Sequence, residues 1–172
     1  ILASDTKSAD TKARLNIMTQ TNNGFIIAQK DMDISTEGLI TNTIATAGNL
    51  NITAKGNITN TGQIQSGSNI NIVTDKEFVN RGTITAMDNL SAKTDSLQNT
   101  GKITTGGYGK FTVADTFHNQ AEIITNNDME ITAGSFFNDS NLTSSDNFSL
   151  TTKNLYTNNV TITAGKDIQI QT

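Results

Sequence analysis

Three amino acids are missing from this chain of 172 residues: cysteine, proline and tryptophan. Without cysteine there is no disulfide framework, no thiol nucleophile and no cysteine-ligated zinc or iron–sulfur site. A single histidine, His118, excludes a metal site built from several histidines and argues against a catalytic triad. The composition therefore removes most of the common catalytic and metal-binding chemistries before any pattern is considered.

Positive charge is also scarce. The chain has a formal net charge of -4 and only two arginines, Arg14 and Arg81, whereas a nucleic-acid surface needs clustered basic residues. No apolar run approaches the roughly 18 residues that a membrane-spanning helix needs. We therefore expect neither nucleic-acid binding nor membrane insertion.

Low hydrophobicity raises the alternative of a disordered chain. Only 34% of the residues are hydrophobic, and the sequence contains 22 Asn and 29 Thr, a polar composition that can remain a solvated coil. Disordered chains are usually rich in proline and poor in isoleucine, whereas this chain has no proline and 20 isoleucines. The spacing of the isoleucines indicates a folded chain.

Apolar residues recur in a unit of about 19–20 residues, which is the mark of a repeat architecture. Four apolar columns can be followed from unit to unit. The first contains Ile26, Ile44, Ile64, Ile84, Ile103, Ile123, Leu142 and Ile162. The second contains Leu15, Met32, Leu50, Ile70, Leu90, Phe111, Met129, Phe148 and Ile168. The third contains Ile17, Ile34, Ile52, Ile72, Ala92, Val113, Ile131, Leu150 and Ile170. The fourth contains Ile40, Ile58, Phe78, Leu97, Phe117, Phe136 and Tyr156.

Apolar and polar residues alternate within each unit, as in Leu50-Asn51-Ile52-Thr53. A period of two indicates strands with one buried face, and the unit is too short for two helices and their turns. Strands that recur without helical crossovers can stack, with equivalent residues about 4.8 Å apart. The sequence predicts an all-β fold, a right-handed parallel β-helix (solenoid) of about eight coils over residues 9–172. Residues 1–8 are predicted to be an N-terminal segment outside the repeat.

An asparagine column follows the fourth apolar column. Asn tolerates turn conformations, and its amide can hydrogen-bond along a stack. We therefore predict an internal structural ladder, rather than a ligand site, at Asn42, Asn60, Asn80, Asn99, Asn119, Asn138 and Asn158. A second polar column precedes the second apolar column and is expected to mark an exposed corner: Asp31, Asn49, Asn69, Asn89, Lys110, Asp128, Asn147 and Asp167.

The recurring pattern G-x-I…N-L-x-I-x-[TA]…I-x-N resembles the haemagglutinin repeats of filamentous haemagglutinin-type exoproteins. It is carried by Gly62–Asn80, Gly82–Asn99 and Gly101–Asn119, and the tail from Thr161 to Ile168 matches the same signature. The resemblance implies a long rod, secreted or displayed on the cell surface of a Gram-negative bacterium and exported by two-partner secretion through an outer-membrane pore. Members of this family include host-cell adhesins and contact-dependent growth-inhibition exoproteins, whose rod presents a receptor-binding region and a C-terminal toxin.

The chain departs from a complete member of that family. The family's Asn-Pro-type N-terminal secretion motifs cannot occur without proline, and no toxin domain is evident. The sequence stops at Thr172, partway round a predicted coil, and an open coil exposes unpaired strand edges. We therefore expect the chain to be a segment of a longer rod.

Three functions are compatible with a β-helix of this kind. The regular columns favour a rod-like shaft segment that serves adhesion or presents a distal binding or toxin module. The alternative is a receptor- or host-cell-binding module, whose partner is a host-cell or bacterial surface receptor or a glycan. A polysaccharide-binding or lyase β-helix is less favoured, because lyases need converging carboxylates that the outward columns do not supply. We expect no enzymatic activity and no cofactor.

Two separate outward sites are candidates for a contact surface. His118 and Phe137 are expected to be neighbours on adjacent coils, and clustered apolar surface signals more than isolated residues do. Tyr108 lies in the stretch Gly106–Lys110, where two extra residues predict a bulged corner. Lys110 stands where a calcium-binding G-G-x-G-x-D repeat needs Asp, and no helix follows that could hold a phosphate. The alternative for His118 and Phe137 is ordinary surface decoration or cover by a flanking loop.

Overall fold

The computed structural model describes residues 13–17, 20–157 and 160–172. This part of the chain contains nineteen β-strands, all paired in parallel, and no helix. It accordingly has no helix long and apolar enough to cross a membrane. The predicted all-β solenoid of about eight coils is confirmed. The predicted boundary between residues 8 and 9 lies outside the described residues.

Each coil has three sides, which we call A, B and C. Side B carries the second and third apolar columns on β1 (Ala13–Ile17), β3 (Met32–Thr36), β5 (Leu50–Ala54), β7 (Ile70–Thr74), β10 (Leu90–Thr94), the first parts of β13 (Gly109–Asn119), β15 (Met129–Asn138) and β17 (Phe148–Thr157), and β19 (Ile168–Gln171). Side A carries the first column on the last parts of β2 (Gln20–Ala28), β4 (Leu39–Thr46) and β6 (Ile58–Ser66), and on β9 (Thr83–Ala86), β12 (Ile103–Thr105), β14 (Ile123–Thr125), β16 (Leu142–Ser144) and β18 (Ile162–Ala164). Side C carries the fourth column on β8 (Glu77–Asn80), β11 (Ser96–Asn99) and the remaining parts of the long strands.

The first apolar column forms side A of the interior as the sequence predicts. The strand register pairs Ile26 with Ile44 and continues coil by coil to Ile162. Every member from Ile26 to Leu142 is buried. Each such side chain contributes about 1.5–3 kcal/mol when it is fully removed from water. A stack of near-identical residues therefore stabilises each coil only when the next coil covers it.

The second and third columns need a correction in two coils. The register pairs Ala13 with Met32 and Gly109 with Leu90, so Leu15 and Phe111 belong to the third column rather than the second. Ile17 and Val113 consequently lie at the next inward-facing position along the strand, after the third column, where they pair with Thr36 and Thr94. Gly109 takes a core position because neighbouring side chains fill the space that its own would need: a Cβ on Gly109 would lie 2.7 Å from Thr125 Cγ2 and 3.4 Å from the Phe111 ring. A search for apolar residues cannot find a column member that is glycine.

The fourth column was also misassigned at two places where apolar residues are adjacent. Leu39, not Ile40, pairs with Ile58, and Ile40 is 46% exposed. Leu155, not Tyr156, pairs with Phe136, and Tyr156 is 53% exposed. Successive residues of a strand point to opposite faces, so only one member of each pair can face inward. The register of the neighbouring coil decides which one does.

Two further inward columns of small hydroxyl residues close the corners, and the apolar pattern did not reveal them. They lie at the ends of the side A and side B strands and satisfy backbone groups of the turns that follow. Thr74 Oγ1, for example, donates to Gly56 O at 2.7 Å and accepts from Lys76 N at 3.2 Å. Buried hydroxyls of this kind let the chain turn without leaving buried carbonyls unpaired.

Stacked glycines form the turn from side C to side A. A Cβ on Gly82 would lie 1.9 Å from Gly62 O, and one on Gly101 would lie 1.8 Å from Gly82 O. No side chain fits at these distances without a shift of the backbone. The close approach of successive turns therefore explains the glycines that open three consecutive units, Gly62, Gly82 and Gly101.

Candidate contact surface on side C

The outward column of side C contains the two predicted neighbours His118 and Phe137. The register pairs Gln98 with His118, His118 with Phe137, and Phe137 with Tyr156. The expected adjacency of His118 and Phe137 is therefore present. Tyr156, which the sequence analysis assigned to the core, also faces outward and extends this series by one coil toward the C-terminus.

These three side chains, which we call the aromatic row, are in direct ring contact. The His118 and Phe137 ring centroids are 5.8 Å apart with an interplanar angle of 62°. The Phe137 and Tyr156 centroids are 4.5 Å apart and nearly parallel, at 8°. Parallel rings on successive coils stack along the rod axis, so the row presents ring edges to solvent. Such contacts contribute about 0.5–1.5 kcal/mol beyond the area they bury.

An acidic residue holds the histidine end of the row. His118 Nε2 lies 2.8 Å from Asp139 Oδ2, and the two side chains are 35% and 38% exposed. At this exposure the pair contributes little to stability, about 0–1 kcal/mol. Its effect is to fix the orientation of the imidazole against Phe137.

A shallow groove of about 260 Å³ begins at His118 and runs beside the outward column. Its walls combine a carboxylate, two hydroxyls, an amide and the imidazole, from Glu77, Ser96, Leu97, Gln98, Thr116 and His118. Within the described ranges, no group of three or more His, Asp or Glu side chains is placed to hold a metal ion. Glu77 and His118 are the titratable side chains among the residues that line the groove.

Tyr108 lies on a different part of the rod. It is 45% exposed at the corner between sides A and B, and so does not join the aromatic row of side C. The predicted two-residue bulge at this corner is wrong, because Gly109 follows Ile103 by six residues, just as Leu90 follows Ile84. The register shift falls instead between Val113 and Thr116, at the corner between sides B and C.

The corner column that contains Tyr108 is a second amide ladder. Asn49 Nδ2 donates to Asp31 Oδ1 at 3.0 Å, and the same bond is repeated at 2.9 Å from Asn69 to Asn49 and from Asn89 to Asn69. Lys110 was wrongly assigned to this column. Tyr108 occupies the position instead, and its backbone N–H donates to Asn89 Oδ1 at 2.9 Å.

Lys110 points outward from side B instead. It pairs with Ser91 and Glu130 in the register, and its Nζ lies 3.0 Å from Glu130 Oε1. The column resumes above Tyr108, where Asn147 N and Nδ2 donate to Asp128 Oδ1 at 3.0 and 2.8 Å. These bonds, the backbone one first, hold the pKa of Asp128 below its ordinary value.

The interior ladder is confirmed over five consecutive coils. Five fully buried side chains form it: Asn60, Asn80, Asn99, Asn119 and Asn138. In the first four, Nδ2 donates to the Oδ1 of the next coil at 2.7–2.8 Å. The donors point toward the C-terminal end, opposite to those of the corner ladder. This ladder is a structural element, since its polar atoms are used within the rod.

The two predicted ends of the interior ladder differ. Asn42 is exposed and was wrongly included, because Thr41 occupies the buried position opposite Asn60. Asn158 lies outside the described residues, and Thr157 pairs with Asn138. Among the described residues, Thr41 Oγ1 and Asn138 Nδ2 are the buried side-chain polar atoms without a hydrogen-bond partner. Both stand where the asparagine series stops.

Comparison with known proteins gives one result. The family model described as haemagglutinin repeat matches residues 6–82 and residues 45–171, so that the two overlapping matches together span residues 6–171. Neither a curated protein nor a solved structure matches the chain significantly.

Proposed function

Because this chain belongs to the haemagglutinin-repeat family, we propose that it is a shaft segment of a large secreted or surface-displayed exoprotein. The family and the β-solenoid fold make it a rod-like repeat segment of the adhesin type. In the proposed role, the segment serves adhesion by lengthening the rod, or presents a distal binding or toxin module away from the cell.

The observation that carries this proposal is the continuity of the interior. Equivalent residues are in register from coil to coil, and the ladder of buried amides runs through five coils without a break. A stack of this kind can be extended by repetition, about 4.8 Å for each coil. Eight coils span about 38 Å, so length is the property that such a segment supplies.

The family consists of secreted or cell-surface exoproteins of Gram-negative bacteria and is structural or adhesive rather than enzymatic. We infer the same location for this chain, with a two-partner-secretion pore of the outer membrane as its export partner. A parallel β-helix fits that route, since coils that form one after another can fold as they emerge.

A second candidate function is a receptor- or host-cell-binding module, which the aromatic row favours. His118, Phe137 and Tyr156 form continuous ring contacts on an outward surface where the fold requires no aromatic residue. Clustered exposed aromatics are typical of recognition surfaces. The partner in this case is a surface receptor or glycan on a host or bacterial cell.

Cell binding separates the two functions. The purified, labelled chain is titrated onto intact bacterial and mammalian cells and measured by flow cytometry, beside Phe137→Ser and the matched control Tyr108→Ser. A shaft segment shows no saturable binding to either cell type. Saturable binding that Phe137→Ser removes and Tyr108→Ser preserves would refute the shaft proposal and make side C a recognition surface.

A further inference from the structure

Side C presents two outward columns that differ in size. The column nearer the start of each strand is narrow in the last four coils, and the column two residues later is wide. We call them the narrow column, Ser96, Thr116, Ser135 and Asn154, and the wide column, Gln98, His118, Phe137 and Tyr156. Side C thus has a ridge next to a furrow, both parallel to the rod axis.

The ridge is the part of side C that exposes apolar surface. Tyr156 is 53% exposed, and its ring continues the Phe137 stack. Because the rings already cover one another's faces, a sugar that packs on an aromatic face finds the faces of Phe137 occupied. What remains available is the row of ring edges, which suits a surface with a matching furrow.

From this geometry we propose that the partner of side C is a second copy of the chain. A two-fold axis parallel to the rod axis turns side C onto itself and keeps every coil at its own level. It sets the wide column of each copy over the narrow column of the other, so that Phe137 faces Ser135 and Tyr156 faces Asn154. The two rods lie side by side and point the same way. This proposal rests on side C being a contact surface, as in the second candidate function.

Charges at the two margins of side C agree with the same symmetry. Asp75, Lys76 and Glu77 stand at the start of β8 and leave this margin with one net negative charge, Arg81 follows the end of β8, and all four are exposed. The axis brings the start of each strand opposite the end of the same strand in the other copy, which sets Arg81 near this negatively charged margin twice. Complementary charge of this kind fixes register more than it adds affinity.

The size of the contact predicts weak association of a single segment. A face about 38 Å long and about 10 Å wide offers roughly 400 Å² per copy, about half of what a standard stable interface buries. The ridge and the furrow occupy the last four coils, so a longer rod adds area only where its other coils repeat these two columns. Parallel copies anchored on one surface would therefore bundle laterally by multivalency, although isolated segments associate weakly.

Sedimentation velocity tests self-association of the folded chain from about 10 μM to about 1 mM, the range in which an interface this small becomes populated. We expect the dimer fraction to rise over this range. The double variant Phe137→Ser with Tyr156→Ser should raise the dissociation constant at least about tenfold, because it removes the buried aromatic anchors. Tyr108→Ser, which removes an exposed Tyr outside side C, should leave it unchanged. A chain that stays monomeric throughout, or a double variant that dimerises like the parent, overturns the proposal.

A chain without cysteine allows a direct test of the arrangement. Ser96→Cys and Gln98→Cys are made in separate chains, mixed, and treated with a short thiol-to-thiol crosslinker. The proposed axis places position 96 opposite position 98, so the mixed product should exceed either self-linked product well beyond random pairing. Predominant self-linking of either variant would contradict the parallel pairing.

Charge exchange supplies an independent readout that leaves the ridge intact. Arg81→Glu should weaken dimerisation by about fivefold or more, since it sets like charges opposite each other. The double variant Arg81→Glu with Glu77→Arg should recover association close to that of the parent. Failure of the double variant to recover, with both proteins folded by circular dichroism, would count against the proposed axis.

The outcomes also separate this proposal from the candidate function on which it rests. A chain that remains monomeric but loses cell binding through Phe137→Ser uses side C for a foreign partner, and the self-association proposal is then wrong. A chain that dimerises through side C but binds no cell supports self-association and removes the receptor-binding function.

Discussion

Replacing the central asparagine of the interior ladder is the sharpest test of how the rod is held together. Asn99 accepts from Asn80 Nδ2 at 2.7 Å and donates to Asn119 Oδ1 at 2.8 Å, and its side chain is fully buried. Asn99→Leu keeps the number and the branching of the side-chain heavy atoms, so it opens no cavity. The substitution removes both ladder bonds and leaves the neighbouring amides facing a hydrocarbon.

The expected cost follows from those two neighbours. Asn119 Oδ1 loses its ladder donor, and Asn80 Nδ2 keeps only its 3.2 Å bond to Gly101 O. A buried polar group left without its partner costs about 1–3 kcal/mol, which gives about 2–6 kcal/mol for the pair. Burial of the apolar leucine side chain offsets roughly 1–2 kcal/mol of this destabilisation. We expect a net loss of about 3 kcal/mol in the free energy of unfolding.

Urea denaturation followed by far-ultraviolet circular dichroism measures this loss as a shift of the midpoint. Asn126→Leu is the matched control, because Asn126 is exposed and its backbone amide, not its side chain, bonds to Thr105 O. Surface replacements of that kind change stability by about 0.5 kcal/mol or less. If Asn99→Leu stays within the same limit, the ladder does not stabilise the rod and its interpretation here is wrong.

Three further predictions use the same denaturation assay. Gly101→Ala should destabilise the rod by at least about 1 kcal/mol, because the new Cβ would lie 1.8 Å from Gly82 O; an unchanged midpoint would show that successive turns can separate freely. Thr157→Asn should stabilise it by about 1 kcal/mol by giving the unpartnered Asn138 Nδ2 an acceptor, and a loss of stability would contradict this extension of the ladder. Asp128 has a lowered pKa in the folded state, so the stability it contributes is present above its ordinary value of 3.8 and is lost as pH falls through the folded value. Asp128→Asn keeps an oxygen acceptor for Asn147, so we expect stability to fall less steeply below about pH 4 than in the parent chain. If stability falls just as steeply in the variant, other carboxylates cause the loss at low pH.

The sequence was sufficient for the architecture because the interior of a solenoid repeats. Ile44, Ile64 and Ile84 occur at nearly equal intervals, and parallel stacking is the arrangement that brings equivalent strand residues together. The interior ladder could be predicted for the same reason, from Asn60 to Asn138. Periodicity thus identified the residues that every coil must supply.

Periodicity failed where a coil met its structural requirement with an unexpected residue. Gly109 holds a core position because the side chains of Thr125 and Phe111 fill the space beside it, a three-dimensional exchange that no column of apolar letters displays. At Leu39-Ile40 and Leu155-Tyr156, either residue satisfies the apolar pattern, and only the partner strand selects the inward one. The resulting error hid Tyr156 from the candidate surface.

The aromatic row is not a by-product of the fold. The outward column of side C accepts Thr59 and Gln98 at positions equivalent to His118 and Phe137, so the solenoid places no demand for rings there. Ring edges on an exposed sheet face cost solubility, and the apolar interior is complete without them. Three consecutive coils nevertheless carry rings in mutual contact, next to a column of small residues. In a rod whose inward columns specify the structure, the outward columns are where coils can differ, and the aromatic row is such a difference.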